Sequence, residues 1–368
     1  MRPVIIKGWD ISKEEYKRAH QEGRLVKLLI ELSNICNLSC PSCFTKRVKG
    51  SFNDKRKKRL SNEMLYMTQI QLLEEACRLG VKTVDIVGAG EPTLDPHFQE
   101  IVEKINDLGM YVVVFTHGAS RLLENISNFK DKKISLFFKL WSRKRKLQDR
   151  YVAGSISNYS KKRDENLERF ILNGFNEGED IMLDGIEYKT TRLGADILVM
   201  RSNYNEILDI FRFTRNNNIM PLIKTYIPQG PTHFSQIENL GIYSSERLKK
   251  LKEEEISQEE MFELRKKLID IDSKEYGILE LKTFYPQAVK CTQSVASLYA
   301  TITGEIRSCV GTDIVYGVYE PKKNMLEKII KKRREKVGFG CLPRIEDSRK
   351  RGIEIPRELM QIYEDGIF

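Results

Sequence analysis

The stretch Glu31–Cys43, ELSNICNLSCPSC, carries three cysteines, Cys36, Cys40 and Cys43, in a C-x3-C-x2-C spacing. An apolar run, Leu25–Leu32, precedes them, so the thiols sit on the loop that leaves a buried strand. Thiolates are soft, charged donors suited to iron–sulfur centres and to zinc. A closed structural zinc site takes four ligands, and no fourth Cys or His follows nearby. Three thiolates this close in sequence can instead wrap one corner of a cubane cluster and leave one iron open. Two other readings stay in play: three unrelated core thiols, or a zinc site.

Composition bounds the rest. The 368 residues suffice for one large domain with a smaller one, or for two modest ones. With 40% hydrophobic and 31% charged residues, the chain reads as a soluble globular protein. Its longest apolar runs are far below membrane-spanning length, and Met1–Leu25 lacks the apolar core of a signal peptide. Seven cysteines, three of them clustered, argue against a secreted disulfide scaffold and for a reducing cytoplasm. The net charge of +10 fits an anionic partner or plain solubility. Lys46–Arg59, with eight Lys or Arg among fourteen residues, reads as a solvated loop.

Met1–Gly23 reads as a cap whose SKEEYKRAH segment is a short helix. Strands are expected from Leu25, Thr83, Tyr111, Ile134, Ala195 and Leu222. Helices fall between them: Gln69–Leu79, with a capping box from Thr68 and Gln71, then His97–Leu108, a helix ending near Gly174, and Asn205–Asn216. Cys77 lies in the first of these as a core thiol. Strand–helix alternation implies an α/β fold with a parallel sheet and crossover helices. Six units rather than eight imply a partial (β/α)6 TIM-like barrel. Residues 236–277 read as a helical connection, and from residue 278 onward a small α+β domain is expected, with strands at Val295–Thr303 and Ile306–Cys309.

The three-cysteine motif resembles the signature of the radical S-adenosylmethionine (SAM) enzymes. The resemblance implies a SAM-binding [4Fe–4S] cluster on Cys36, Cys40 and Cys43, and cleavage of SAM to a 5'-deoxyadenosyl radical. It also implies that residues 25–235 form the core after a cap at 1–24. The turn Gly88-Ala89-Gly90-Glu91-Pro92 resembles the family's GGE motif, which holds the SAM amino group. Gly88 and Glu91 match, while Ala89 or Gly90 stands for the middle glycine. Phe115-Thr116-His117-Gly118 resembles the family's T-N-G strand end, with His117 in place of Asn. His117 then touches the ribose or simply ends the strand.

Ser135, Phe137 and Lys139 share one face of a strand. The resemblance makes Ser135 and Lys139 candidates for the SAM carboxylate or a substrate anion. Arg201, favoured over Arg192 because it lies at a strand's C-terminal mouth, and Asn203 are further cofactor-binding candidates.

Near the C-terminus, Cys291, Gly304 and Cys309 form a C-x12-G-x4-C spacing, and Cys341 follows. This resembles the SPASM and twitch extensions and implies a second, auxiliary [4Fe–4S] cluster on Cys291, Cys309 and Cys341 within 278–368. Full SPASM domains carry more cysteines, so a fourth ligand is unassigned; core cysteines in a small β domain are the competing reading.

The leading function is a radical SAM oxidoreductase acting on a small polar metabolite or a short peptide, with a reduced flavodoxin or ferredoxin-type electron donor. Oxidation or radical rearrangement is preferred to epimerisation, because Cys77, the one cysteine left over, is poorly placed on its helix to donate hydrogen. Modification of a tRNA or other nucleic-acid base stands second, on the basic runs. A non-enzymatic electron-transfer protein stands third.

Overall fold

The computed structural model describes residues 2–45, 58–152, 156–229, 232–234, 244–279, 293–321, 323–333 and 348–354. Twelve strands are assigned among them: β1 (Val4–Ile6), β2 (Lys27–Glu31), β3 (Thr83–Gly88), β4 (Tyr111–Thr116), β5 (Ile134–Lys139), β6 (Asp180–Leu183), β7 (Ile186–Thr191), β8 (Leu193–Leu198), β9 (Met220–Lys224), β10 (Ser297–Ala300), β11 (Glu305–Arg307) and β12 (Val315–Val318).

One sheet runs β12-β11-β10-β2-β3-β4-β5-β8-β9, parallel from β10 to β9. The six strands expected from sequence, β2, β3, β4, β5, β8 and β9, lie side by side in its parallel part, which β10 extends by one. Helices supply the crossovers and cover its outer face. In Phe98–Asp107, for example, Phe98, Ile101, Val102 and Ile105 are buried at helical spacing, and Gly109 leaves with φ +81°. Burying each such side chain is worth about 1.5–3 kcal/mol. The barrel is partial: among the described residues the sheet does not close on itself, and β10 extends it in parallel beside β2. Its two ends meet through loops, where Gln229 Nε2 donates to Gly311 O at 3.0 Å.

A second sheet, β1-β7-β6, lies at the N-terminal side of the strands. Val4 and Ile6 pack with Val113, Phe137, Met220 and Leu222 and fill the barrel interior from that side. Trp9 adds edge-to-face contacts with Phe115 and Phe137 at 5.4 and 5.3 Å. The C-terminal mouth is left for loops.

The capping box expected at Thr68 and Gln71 does not form. The helix starts at Tyr66 behind an extended Leu65 with no side-chain cap. Tertiary contacts set its entry instead: Met64 N donates to Ile302 O at 2.7 Å, and Gln69 Nε2 donates to Leu32 O at 2.7 Å. The basic run's residues 46–57 lie outside the described residues, as do Cys291 and Cys341.

Candidate active site at the strand mouths

The cysteine loop leaves β2 and is clamped to the turn that leaves β3. Gly90 N donates to Ser33 O at 2.8 Å, and Glu91 N donates to Ile35 O at 2.7 Å. Thr45 Oγ1 lies 3.2 Å from Cys43 Sγ and donates to Ala89 O at 2.7 Å. Cys36 and Cys43 are half-buried and Cys40 is buried; all three pack on one apolar group formed by Leu38, Ala119, Val152 and Tyr159. Among the described residues no three Cys, His, Asp or Glu side chains converge on a point that a single ion could occupy.

Glu91 joins the turn to the end of β4. Its carboxylate accepts from Thr116 Oγ1 at 2.5 Å, from His117 N at 2.7 Å and from Thr93 N at 3.3 Å. His117 Nε2 lies 2.9 Å from Asn37 Oδ1, and its Nδ1 accepts from Ala119 N at 3.0 Å, so the ring ties β4 to the cysteine loop. Burial pushes the His117 pKa down; Glu91 opposes this and Lys139 adds to it. Tyr159, whose pKa burial raises, keeps its proton and donates to His117 O at 2.7 Å.

Lys139, at the end of β5, places Nζ 3.4 Å from Cys40 Sγ and 4.5 Å from the Trp141 ring centroid. Burial alone lowers an ammonium pKa, but Cys40, Tyr159, Cys43 and Asp196 together hold this one above its ordinary value. Lys139 is thus a cation facing the cysteine loop, where Arg247 Nη2 also donates to Pro41 O at 2.8 Å.

Other sequence candidates lie elsewhere. Ser135 Oγ donates to Lys7 O at 2.9 Å, on the N-terminal side. Arg201 pairs with Glu260 at a half-exposed position, and Arg192 donates to the carbonyls of Phe129, Lys130, Lys132 and Ile134. Asn203 is buried and bridges strand ends: Nδ2 donates to Trp141 O at 2.6 Å and Leu198 O at 2.8 Å, while Oδ1 accepts from Met200 N at 2.7 Å. Cys309 is half-buried just beyond β11.

Sequence reasoning missed several groups here. Asn37 and Thr45 carry no pattern that marks them. Asp196 and Lys224 do: each is a charge on a buried strand, the signal that singled out Lys139. Glu31 is a third such charge; buried, it accepts from Ile302 N at 2.9 Å and from the Tyr299 hydroxyl, fastening the β10 segment to β2.

The Radical SAM superfamily model matches residues 30–187, the span that holds the cysteine loop, the Gly88–Glu91 turn and β5. Residues 30–187 are in this sense similar to the radical SAM superfamily. The PqqA peptide cyclase of Methylorubrum extorquens (strain PA1) is 36% identical over 106 residues, 29% of this chain and 25% of that protein. The chain therefore aligns with about a quarter of this curated relative's length. Among solved structures, Streptococcus suis SuiB bound to its precursor peptide SuiA superposes with a TM-score of 0.59 at 13% identity, over 86% of this chain and 68% of that one. Native anSMEcpe with bound AdoMet gives 0.55 at 12% identity, over 92% and 100% of the two chains. These likenesses are of fold. Among the described residues no helix is long and apolar enough to cross a membrane.

Proposed function

We propose that this chain cleaves SAM reductively and uses the resulting radical to abstract hydrogen from a short peptide or small polar metabolite, with oxidation or rearrangement as the outcome. Cys36, Cys40 and Cys43 would hold a [4Fe–4S] cluster. Bound there, the cluster supplies the electron that splits SAM into methionine and a 5'-deoxyadenosyl radical. The observation that carries this reading is the clamp between the cysteine loop and the Gly88–Glu91 turn at the mouths of β2 and β3.

In this reading the turn's backbone at Gly88, Ala89 and Gly90 receives the SAM amino group, and Glu91 and Thr116 fix the turn. His117 holds Asn37 and the cysteine loop in place. Lys139 takes the carboxylate of SAM or of substrate. Asn203 braces the mouth. Ser135 and Arg201 are not carried forward, because their polar atoms serve Lys7 and Glu260. Cys309, with Cys291 and Cys341, would hold the auxiliary cluster. A peptide substrate gains support from the PqqA cyclase match and the SuiB likeness.

The test is electron paramagnetic resonance of the anaerobically reconstituted, reduced protein. A four-iron signal that shifts on adding SAM is expected, because an iron left open by three thiolates would be free to take SAM as a ligand. A signal indifferent to saturating SAM overturns the reading.

A further inference from the structure

We propose that Asp196 and Lys224 form a recognition dyad for a substrate that carries a carboxylate beside an apolar group. This deepens the function proposed above and rests on it. Ala195 and Ile197 pack outward with the helices, so Asp196 between them faces the barrel interior. Leu222 packs in the interior with Phe137 and Val113, and Lys224, two residues on, shares its side. Lys224 Nζ lies 2.5 Å from Asp196 Oδ1 and 5.6 Å from the Phe115 ring centroid. Asp196 is also in register with Lys139.

The pair is badly placed to stabilise the fold. Its side chains are 16% and 11% exposed, so both charges have lost most of their water. Replacing such a pair with apolar residues is often neutral or stabilising. Among the described residues neither side chain has a further hydrogen-bond partner, which leaves Lys224 with spare donors. Lys139, Asp196 and Lys224 together carry one cation more than anion, which suits a single negative charge. A carboxylate meets that condition; a phosphate dianion would be repelled by Asp196. Phe115, half-buried beside Lys224, forms the adjoining apolar wall and is backed by the buried Phe137 ring at 4.6 Å.

The carboxylate can come from a free acid or from a peptide side chain, and the probes separate these sources. Binding to the reconstituted, unreduced, SAM-loaded protein is measured by ligand-observed NMR. The probes are N-acetylphenylalanine, N-acetylglutamyl-phenylalaninamide and N-acetylphenylalaninamide. At least one acid should bind roughly tenfold more tightly than the neutral amide. Lys224→Met should erase that difference while SAM affinity holds, and Lys224→Arg should restore part of it.

Equal binding of acids and amide, no detectable binding of any probe, or a preference that survives Lys224→Met overturns the proposal. So does a loss of SAM affinity in Lys224→Met, which would assign the pair to the cofactor. Should Lys224→Met not fold, Asp196→Asn decides: it should admit phenyl phosphate roughly tenfold better than the wild type, and an unchanged affinity overturns the dyad. A wild type that fails to cleave SAM sinks the proposed function; the probe results bear on the dyad alone.

Discussion

A β-carbon at Gly90 would lie 2.0 Å from the carbonyl oxygen of Ile35. The turn after β3 and the cysteine loop after β2 therefore touch backbone to backbone, and only a residue without a side chain fits between them. Gly90→Ala must push the two loops apart. We expect a loss of about 2–4 kcal/mol in unfolding free energy and a lower iron content after reconstitution. Wild-type stability with full iron loading would show that the contact imposes no such constraint.

Glu91 is the next tie. Replacing its charge with Glu91→Gln leaves His117 N and Thr116 Oγ1 facing a neutral amide. The cost should be about 1–3 kcal/mol, with a similar figure for Thr116→Val. Both changes weaken the same contact, so the double variant should cost less than the sum. Denaturant titrations of the three variants check this; strict additivity would mean the two side chains act independently.

A pH dependence follows from the interior pair Lys27 and Asp85, 3.8 Å apart and both buried. Among the described residues neither Asp85 oxygen has a hydrogen-bond donor. Burial pushes the Asp85 pKa up to about 6, with Lys27 opposing the shift. The folded state thus binds a proton that the unfolded chain releases near its ordinary value of 3.8. Asp85 therefore contributes most to stability below pH 4 and loses that contribution as pH rises to about 6. Replacing both residues, Lys27→Met with Asp85→Leu, should be neutral or stabilising at pH 7.5, by up to about 4 kcal/mol. Its advantage over the wild type should grow between pH 4 and 6 in denaturation curves. An advantage that stays flat or shrinks over that window contradicts the assignment.

Much of this was legible in the sequence, for identifiable reasons. Runs such as Tyr111–Thr116, YVVVFT, are β-branched on both faces and declare buried parallel strands. The cysteine spacing and the Gly88–Glu91 turn were readable because both are local. The β1-β7-β6 sheet was not read, although Asp184-Gly185, with φ of +51° and +80°, is a two-residue hairpin signal lying in plain sight. The parallel pairing of β1 with β7 joins distant segments and leaves no local mark. The direction of the Arg201 side chain was not legible, because a place just past a strand does not say which way a side chain turns; its ion pair with Glu260 sets it. Asp196 and Lys224 lie on separate strands, β8 and β9, so their pairing leaves no local mark in the sequence.

The auxiliary cluster has its own test. If Cys309 is a ligand, Cys309→Ala should lower iron from about eight per chain toward four. Product formed per 5'-deoxyadenosine should fall sharply, while SAM cleavage itself survives. Full turnover with all iron retained would make Cys309 a packing residue.

The account's central claim is that Cys36, Cys40 and Cys43 hold the cluster that cleaves SAM. It is tested most directly by quantifying 5'-deoxyadenosine from the reconstituted protein with SAM and dithionite. We compare the wild type with a variant in which all three cysteines are alanine. The wild type should form 5'-deoxyadenosine, and the variant should form none above a protein-free control. Equal cleavage by both proteins, or none by an iron-loaded wild type, would contradict the account.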